Sequence, residues 1–127
     1  MSKTREAPNP FLVSENCLPR RINFLFSSKW TSMVLYILNF KTLRTGELMR
    51  TMPGISKKMM TQTLRELEEL KLIHREVYQV VPPMVEYSLT DLGKRFVEPL
   101  LSLYDWAEDN SDLLDKIEEY RKLNGLG

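Results

Sequence analysis

In the stretch GISKKMMTQTLRELEELKLI (Gly54 to Ile73), Lys57, Thr61 and Arg65 recur every four residues, and Lys58 and Gln62 repeat the same step beside them. Residues four apart share one face of an α-helix, so these side chains form one patch of cations, a hydroxyl and a carboxamide. Lysine and arginine suit phosphate oxygens, while arginine, glutamine and threonine also carry the donors and acceptors that bond base edges. A cation in the first helical turn is opposed by the helix macrodipole, whose positive end lies there. A neighbouring polyanion gives Lys57 and Lys58 a reason to be there. Glu66, Glu68 and Glu69 fall in the second half, where they would repel no phosphate. Taken alone, the two lysines read more readily as solvating a surface helix, so the surrounding elements must decide.

Cys17 is the single cysteine and His74 the single histidine. An intrachain disulfide is therefore excluded, as is a Cys/His metal cage within one chain. Arg20, Arg21 and a helix beginning near Pro19 would favour a thiolate at Cys17; the alternative is a buried structural thiol. His74 reads as an exposed strand residue, the Met59/Met60 pair as core, and Trp30 and Trp106 as buried. The acidic run EDNSDLLDKIEE lacks the glycine and alternating ligands of a calcium loop. No nucleophile elbow, phosphate-binding glycine loop or zinc motif occurs, so neither an enzyme nor a cofactor or metal protein is expected.

These residues must be positioned by a chain of 127 residues, 43% hydrophobic and 28% charged, which suits one globular domain. The longest apolar run, SMVLYILNF, is about half of a bilayer span, and MSKTRE has no apolar region behind it to act as a signal, so a cytoplasmic protein is expected. The net charge of +1 conceals an asymmetry. Residues 15–89 carry 11 basic and 7 acidic side chains, and residues 90–127 carry 5 and 9. A polyanion-facing module joined to an acidic interaction segment has this pattern.

Pro8 and Pro10 mark residues 1–14 as a loose arm. PRRINFLF (Pro19 to Phe26) predicts a helix with proline in its first turn, and Trp30, Val34, Ile37 and Leu38 predict a second, buried one. After a short extended KTLR, TGELMRTM forms a helix of one to two turns, stopped by Pro53 and Gly54. Ser56 then caps a helix of about four turns whose apolar stripe is Met60, Leu64, Leu67 and Leu70, with Met60, Leu64 and Leu67 as its core part. LIHREVYQV and VEYSL alternate as strands around VPPM, giving a two-stranded hairpin. Thr90 caps a helix on which Leu92, Phe96, Leu100, Leu103 and Trp106 repeat as one face, with a kink at Pro99. A last helix, Asp112 to Leu123, places Leu113, Leu114, Ile117, Tyr120 and Leu123 on one side.

Mainly helical order with one small hairpin is that of a winged helix-turn-helix, in which the second helix of the turn enters the DNA major groove with its N-terminal residues. Lys57, Lys58, Thr61, Gln62 and Arg65, with Ser56 at the cap, become the reading surface, and Arg44, Arg75 and the wing are expected to hold phosphates. The domain reading is an arm over 1–14, the DNA-binding domain over 15–109 and a helical extension over 110–127.

The segments CLPRRINFLFSSKWTSMVLYIL, RTGELMRTMPGISKKMMTQTLRELEELKLIHREVY and VPPMVEYSLTDLG (Cys17 to Gly93) resemble the HxlR-type winged-helix transcriptional regulators, themselves similar to the MarR-like group. The resemblance implies a homodimer joined by the helices near both termini, a pseudo-palindromic double-stranded operator, and in several members electrophile or oxidant sensing at the cysteine in the place of Cys17. Three departures stand out. Ser27 and Ser28 replace a pair of glycines, Leu18 separates Cys17 from Pro19, and Met84 replaces a cation at the wing, which predicts weaker wing contact with DNA. The sequence names no small-molecule effector. The competing reading is a winged-helix protein-interaction module without operator-specific DNA binding.

Overall fold

The computed structural model describes residues 17–126, so the expected arm over 1–14 lies outside the described residues. In chain order the elements are α1 (Leu18–Arg21), a 3-10 turn (Asn23–Phe26), α2 (Thr31–Leu38), β1 (Leu43–Arg44), α3 (Thr45–Thr51), α4 (Lys57–Glu69), β2 (Ile73–Tyr78), β3 (Met84–Leu89), α5 (Asp91–Asp109) and α6 (Ser111–Leu123). The helix expected over Pro19 to Phe26 is divided at Ile22, whose φ of −93° and ψ of 2° leave the helical region. Past that break Ser27 and Ser28 stitch the join to α2. Ser28 Oγ accepts the Trp30 N–H at 3.1 Å, and both hydroxyls approach Thr31 Oγ1, at 3.4 and 3.1 Å.

The expected two-stranded hairpin is a three-stranded antiparallel sheet in the order β1-β3-β2. The extended KTLR supplies the third strand, with Leu43 opposite Tyr87 and Arg44 opposite Glu86. Opposed residues share a face of a sheet. Leu43, Ile73, Arg75, Val77, Val85, Tyr87 and Leu89 therefore lie on one face, and Arg44, His74, Glu76, Tyr78, Met84, Glu86 and Ser88 on the other. The first of these faces carries Leu43, Ile73 and Tyr87 into a core shared with Val34 and Leu35 of α2, Leu48 of α3, Met60, Leu64 and Leu67 of α4, and Val97 and Leu100 of α5. Each such aliphatic burial is worth on the order of 1.5–3 kcal/mol.

The end of α4 and the start of α5 meet at one corner. Leu72 N–H reaches the Leu67 carbonyl and Lys71 N–H the Glu68 carbonyl, both at 3.0 Å, the paired bonds of a Schellman ending. Lys71 occupies the left-handed position of that ending with φ 63°. Leu70, the last residue of the apolar stripe, is where the helix turns away, and it is 48% exposed. Thr90 clamps the corner: its Oγ1 donates to the carbonyls of Lys71 (2.6 Å) and Leu72 (3.1 Å) and accepts the Gly93 N–H at 3.0 Å. A β-carbon on Gly93 would stand 2.0 Å from the Leu72 carbonyl oxygen, so only glycine fits.

That approach sets the rotation of α5 about its own axis. Its buried line is Gly93, Val97 and Leu100, with Phe96 packed edge-on against Phe24 at 5.5 Å. Leu92 and Leu103, part of the same apolar repeat, are exposed, and Trp106, expected to be buried, is 50% exposed. Trp30, also expected to be buried, is half-buried. The α6 helix buries none of its residues, and Leu113, Leu114, Ile117, Tyr120 and Leu123 are all exposed.

Gly93→Ala is expected to destabilise the fold by more than about 2 kcal/mol, as overpacking against backbone does, whereas Lys71→Gly should stabilise it by roughly 0.5–1 kcal/mol by relieving the left-handed strain. Urea denaturation reads both, and opposite signs for the two variants are the required pattern.

Candidate nucleic-acid interface

Ser56 lies in the extended region (φ −78°, ψ 156°), and its Oγ accepts the Met59 N–H at 3.0 Å, which starts α4 at Lys57. Met60, Thr63, Leu64 and Leu67 are buried on one side of this helix. The other side is an open depression lined by Lys57, Lys58, Thr61, Gln62 and Arg65, the five residues that the four-residue spacing groups. The first turn of α4 contains no acidic residue. Among the described residues, Lys57, Lys58, Arg65 and Arg75 make no ion pair. The Gln62 carboxamide donates a long bond of 3.3 Å to Glu66, weak enough to be exchanged for a ligand.

A second depression continues the first toward the wing, lined by Thr61, Arg65, Glu68, Arg75 and Tyr87. The register explains Arg75, which stands opposite Tyr87 on the sheet face turned to α4. Glu68, expected to lie clear of any phosphate, instead lines this depression with Arg65 and Arg75, and Tyr87 was not anticipated. Glu68 follows Arg65 by three residues, a spacing that puts them together on the helix, but Tyr87 joins only through strand pairing.

Arg44 lines neither depression. It ends β1 and caps α3, and its backbone N–H donates to Glu47 Oε1 at 3.0 Å. That bond, with smaller help from the Lys41, Arg44 and Arg50 charges, holds the Glu47 carboxyl below its usual range. Arg44 stands opposite Glu86 on the outer face of the sheet. That face is acidic: Glu76 and Glu86 oppose each other, and the Glu86 carboxylate is the chief cause of the upward push on the Tyr78 phenol. His74, exposed as expected, is paired with Glu76 at 2.7 Å. The wing is thus polarised, with Arg75 toward α4 and the carboxylates away from it. No group of His, Cys, Asp or Glu among the described residues could hold a metal ion.

Two basic depressions on the open side of a capped second helix, flanked by a wing, are the geometry of a DNA-binding helix-turn-helix. Residues 25–115 match the HxlR-like helix-turn-helix family. The chain belongs to this family. The HxlR-like fold is supported by relatives and solved structures alike. The chain is 41% identical over 108 residues to YdeP, an HTH-type transcriptional regulator of Bacillus subtilis, covering 85% of this chain and 84% of the relative. The structure of the transcriptional regulator ytfH from Salmonella typhimurium matches with a TM-score of 0.72 at 38% identity, over 85% of this chain and 96% of that one. The oxidized form of the redox regulator HypR matches with a TM-score of 0.68 at 39% identity, over 74% and 97%. Members of this HxlR-like group are transcriptional regulators, and no helix among the described residues is long and apolar enough to cross a membrane.

Met84 is half-buried at the start of β3, opposite Tyr78 and on the same face as Glu86. Met84→Lys is expected to raise affinity for duplex DNA and to steepen its salt dependence by less than the ~0.9 of a full phosphate contact, because two carboxylates lie beside it. Unchanged affinity and slope would remove the wing from the contact.

Proposed function

We propose that the protein is a homodimeric cytoplasmic regulator, without catalytic activity, that binds a pseudo-palindromic operator in double-stranded DNA. Thr61, Gln62 and Arg65 read base edges, Lys57, Lys58 and Arg75 hold phosphates, and Arg44 is a peripheral contact. The observation that carries the reading is a Ser56-capped helix whose open face holds unpaired cations beside a weakly held carboxamide. The two α4 helices of a dimer should sit about one DNA turn, roughly 34 Å, apart.

Fluorescence anisotropy on the protein's own upstream DNA and on a scrambled duplex, at two salt concentrations, tests this. Arg65→Ala should lose about 1–3 kcal/mol of discrimination. Lys57→Ala should weaken both duplexes alike and flatten the salt slope by about 0.9 per protomer. Absence of binding to any duplex at low salt would instead favour a protein-interaction module.

The exposed apolar side of α6 and exposed Leu103 and Trp106 of α5 support the dimer, together with exposed Leu18, Ile22 and Phe26 near the N-terminus. These helices belong, on this reading, to a functional unit over 15–109 and an extension over 110–127 that contributes to the contact. Ile117→Glu should shift the protein to monomer in sedimentation velocity; an undisturbed dimer would place the contact elsewhere.

Cys17 is partly exposed and precedes an α1 of only four residues, too short for a macrodipole of consequence, so Arg20 and Arg21 remain as the favourable charges. We assign it a redox- or electrophile-sensing role, supported by the likeness to the redox regulator HypR. Diamide, which takes up two electrons and two protons as the Cys17 thiol joins either the Cys17 of the second protomer or an added small thiol, should release DNA from the wild type and not from Cys17→Ser. Equal release from both would end this assignment.

A further inference from the structure

Lys29 belongs to no depression described above, yet it is held in place. Its Nζ stands 4.9 Å from the centroid of the Trp30 ring, within cation–π range. The far edge of the same indole lies beneath the turn between α3 and α4: a β-carbon on Gly54, whose φ is +95°, would be 3.7 Å from Trp30 Cη2. Gly54 precedes the Ser56 cap by two residues. The indole therefore joins Lys29 to the start of the reading helix.

The start of α2 repeats the charge logic of α4. Trp30 is the residue before its first turn, that turn contains no acidic side chain, and the last residue before Trp30 is a lysine. A cation at this end works against the helix macrodipole, just as Lys57 and Lys58 do. Lys29 is exposed and makes no ion pair among the described residues. Two anion-free, basic helix starts thus meet through one indole, and the lysine of the first loses less freedom on binding because the ring already holds it.

We propose that Lys29 is a phosphate anchor for operator DNA, gripping the backbone strand that flanks the major groove entered by α4, with Trp30 as the support that sets its position. This rests on the DNA-binding reading above. The contact is to phosphate, so it is independent of sequence and fixes how α4 is seated rather than which bases it reads.

The test is the salt dependence of anisotropy binding for wild type, Lys29→Met, Lys29→Arg and Lys57→Ala, with thermal melting of each. Lys29→Met keeps the stem on the ring without its charge. It should flatten the slope of log affinity against log salt by about 0.9 per protomer, equivalent to about 3.5-fold in affinity per protomer between 50 and 200 mM. The loss should be equal on specific and scrambled duplexes, with unchanged melting and with Lys29→Arg restoring the slope. If Lys57→Ala flattens the slope and Lys29→Met does not, the anchor is refuted while the DNA reading stands. If Lys29→Met lowers melting without touching the slope, Lys29 only shields the indole and the proposal fails. If wild type binds no duplex, the DNA reading falls first and the anchor with it.

Discussion

The Leu72 carbonyl is the point on which the arrangement depends. It receives the Thr90 backbone N–H at 3.1 Å and the Thr90 hydroxyl at 3.1 Å, and Gly93 lies against it where any side chain would collide. Three elements meet at this one group: the end of α4, the first residues of β2 and the first turn of α5. Fixing them together sets the angle at which the wing leaves α4, and so the groove into which Arg65 and Arg75 both project. It also sets which side of α5 enters the core. A polar backbone group buried at a crowded junction must be satisfied there, because an unpaired one costs on the order of 1–3 kcal/mol.

Charge placement follows from the same frame. The buried line of Met60, Leu64 and Leu67 leaves the opposite side of α4 free, and the cap at Ser56 fixes where that side begins. Lys57 and Lys58 occupy its first turn and Arg65 its third, its glutamates follow from Glu66, and the wing divides its charges between its two faces. Such an arrangement costs stability in the isolated protein, since the lysines oppose the macrodipole. It is understandable where a polyanion supplies the missing negative charge, which is the setting in which members of the HxlR-like family work as transcriptional regulators.

Much of this was legible in the chain because it is local. Ser56 as a cap, the four-residue recurrence from Lys57 to Arg65, and the period-two strands around the prolines each depend on residues within a few positions of one another. What was not legible is set by contacts between distant segments. Leu43 and Arg44 form a strand only because β3 is there to pair with them, and the two-stranded hairpin expected from the alternation therefore gained a third member. Leu103 and Trp106 have helical spacing, but spacing cannot say whether an apolar face meets its own core or another chain; the close approach at Gly93 decides. The helix over Pro19 to Phe26 failed at Ile22, where no strong breaker marks the sequence. Of the candidate site, the five α4 residues were readable from periodicity. Arg75 joins them through strand register, and Arg44 stands apart beside Glu86 for the same reason.

The central claim is that the amino-terminal half of α4 faces DNA, and lysine acetylation footprinting tests it most directly. The protein is treated briefly with an acylating reagent, alone and with saturating duplex at low salt, and the modification of each lysine is read by mass spectrometry. The account predicts strong protection of Lys57 and Lys58 by DNA, with Lys116 and Lys122 of α6 modified equally in both samples. Protection of the α6 lysines with Lys57 and Lys58 left reactive would contradict it.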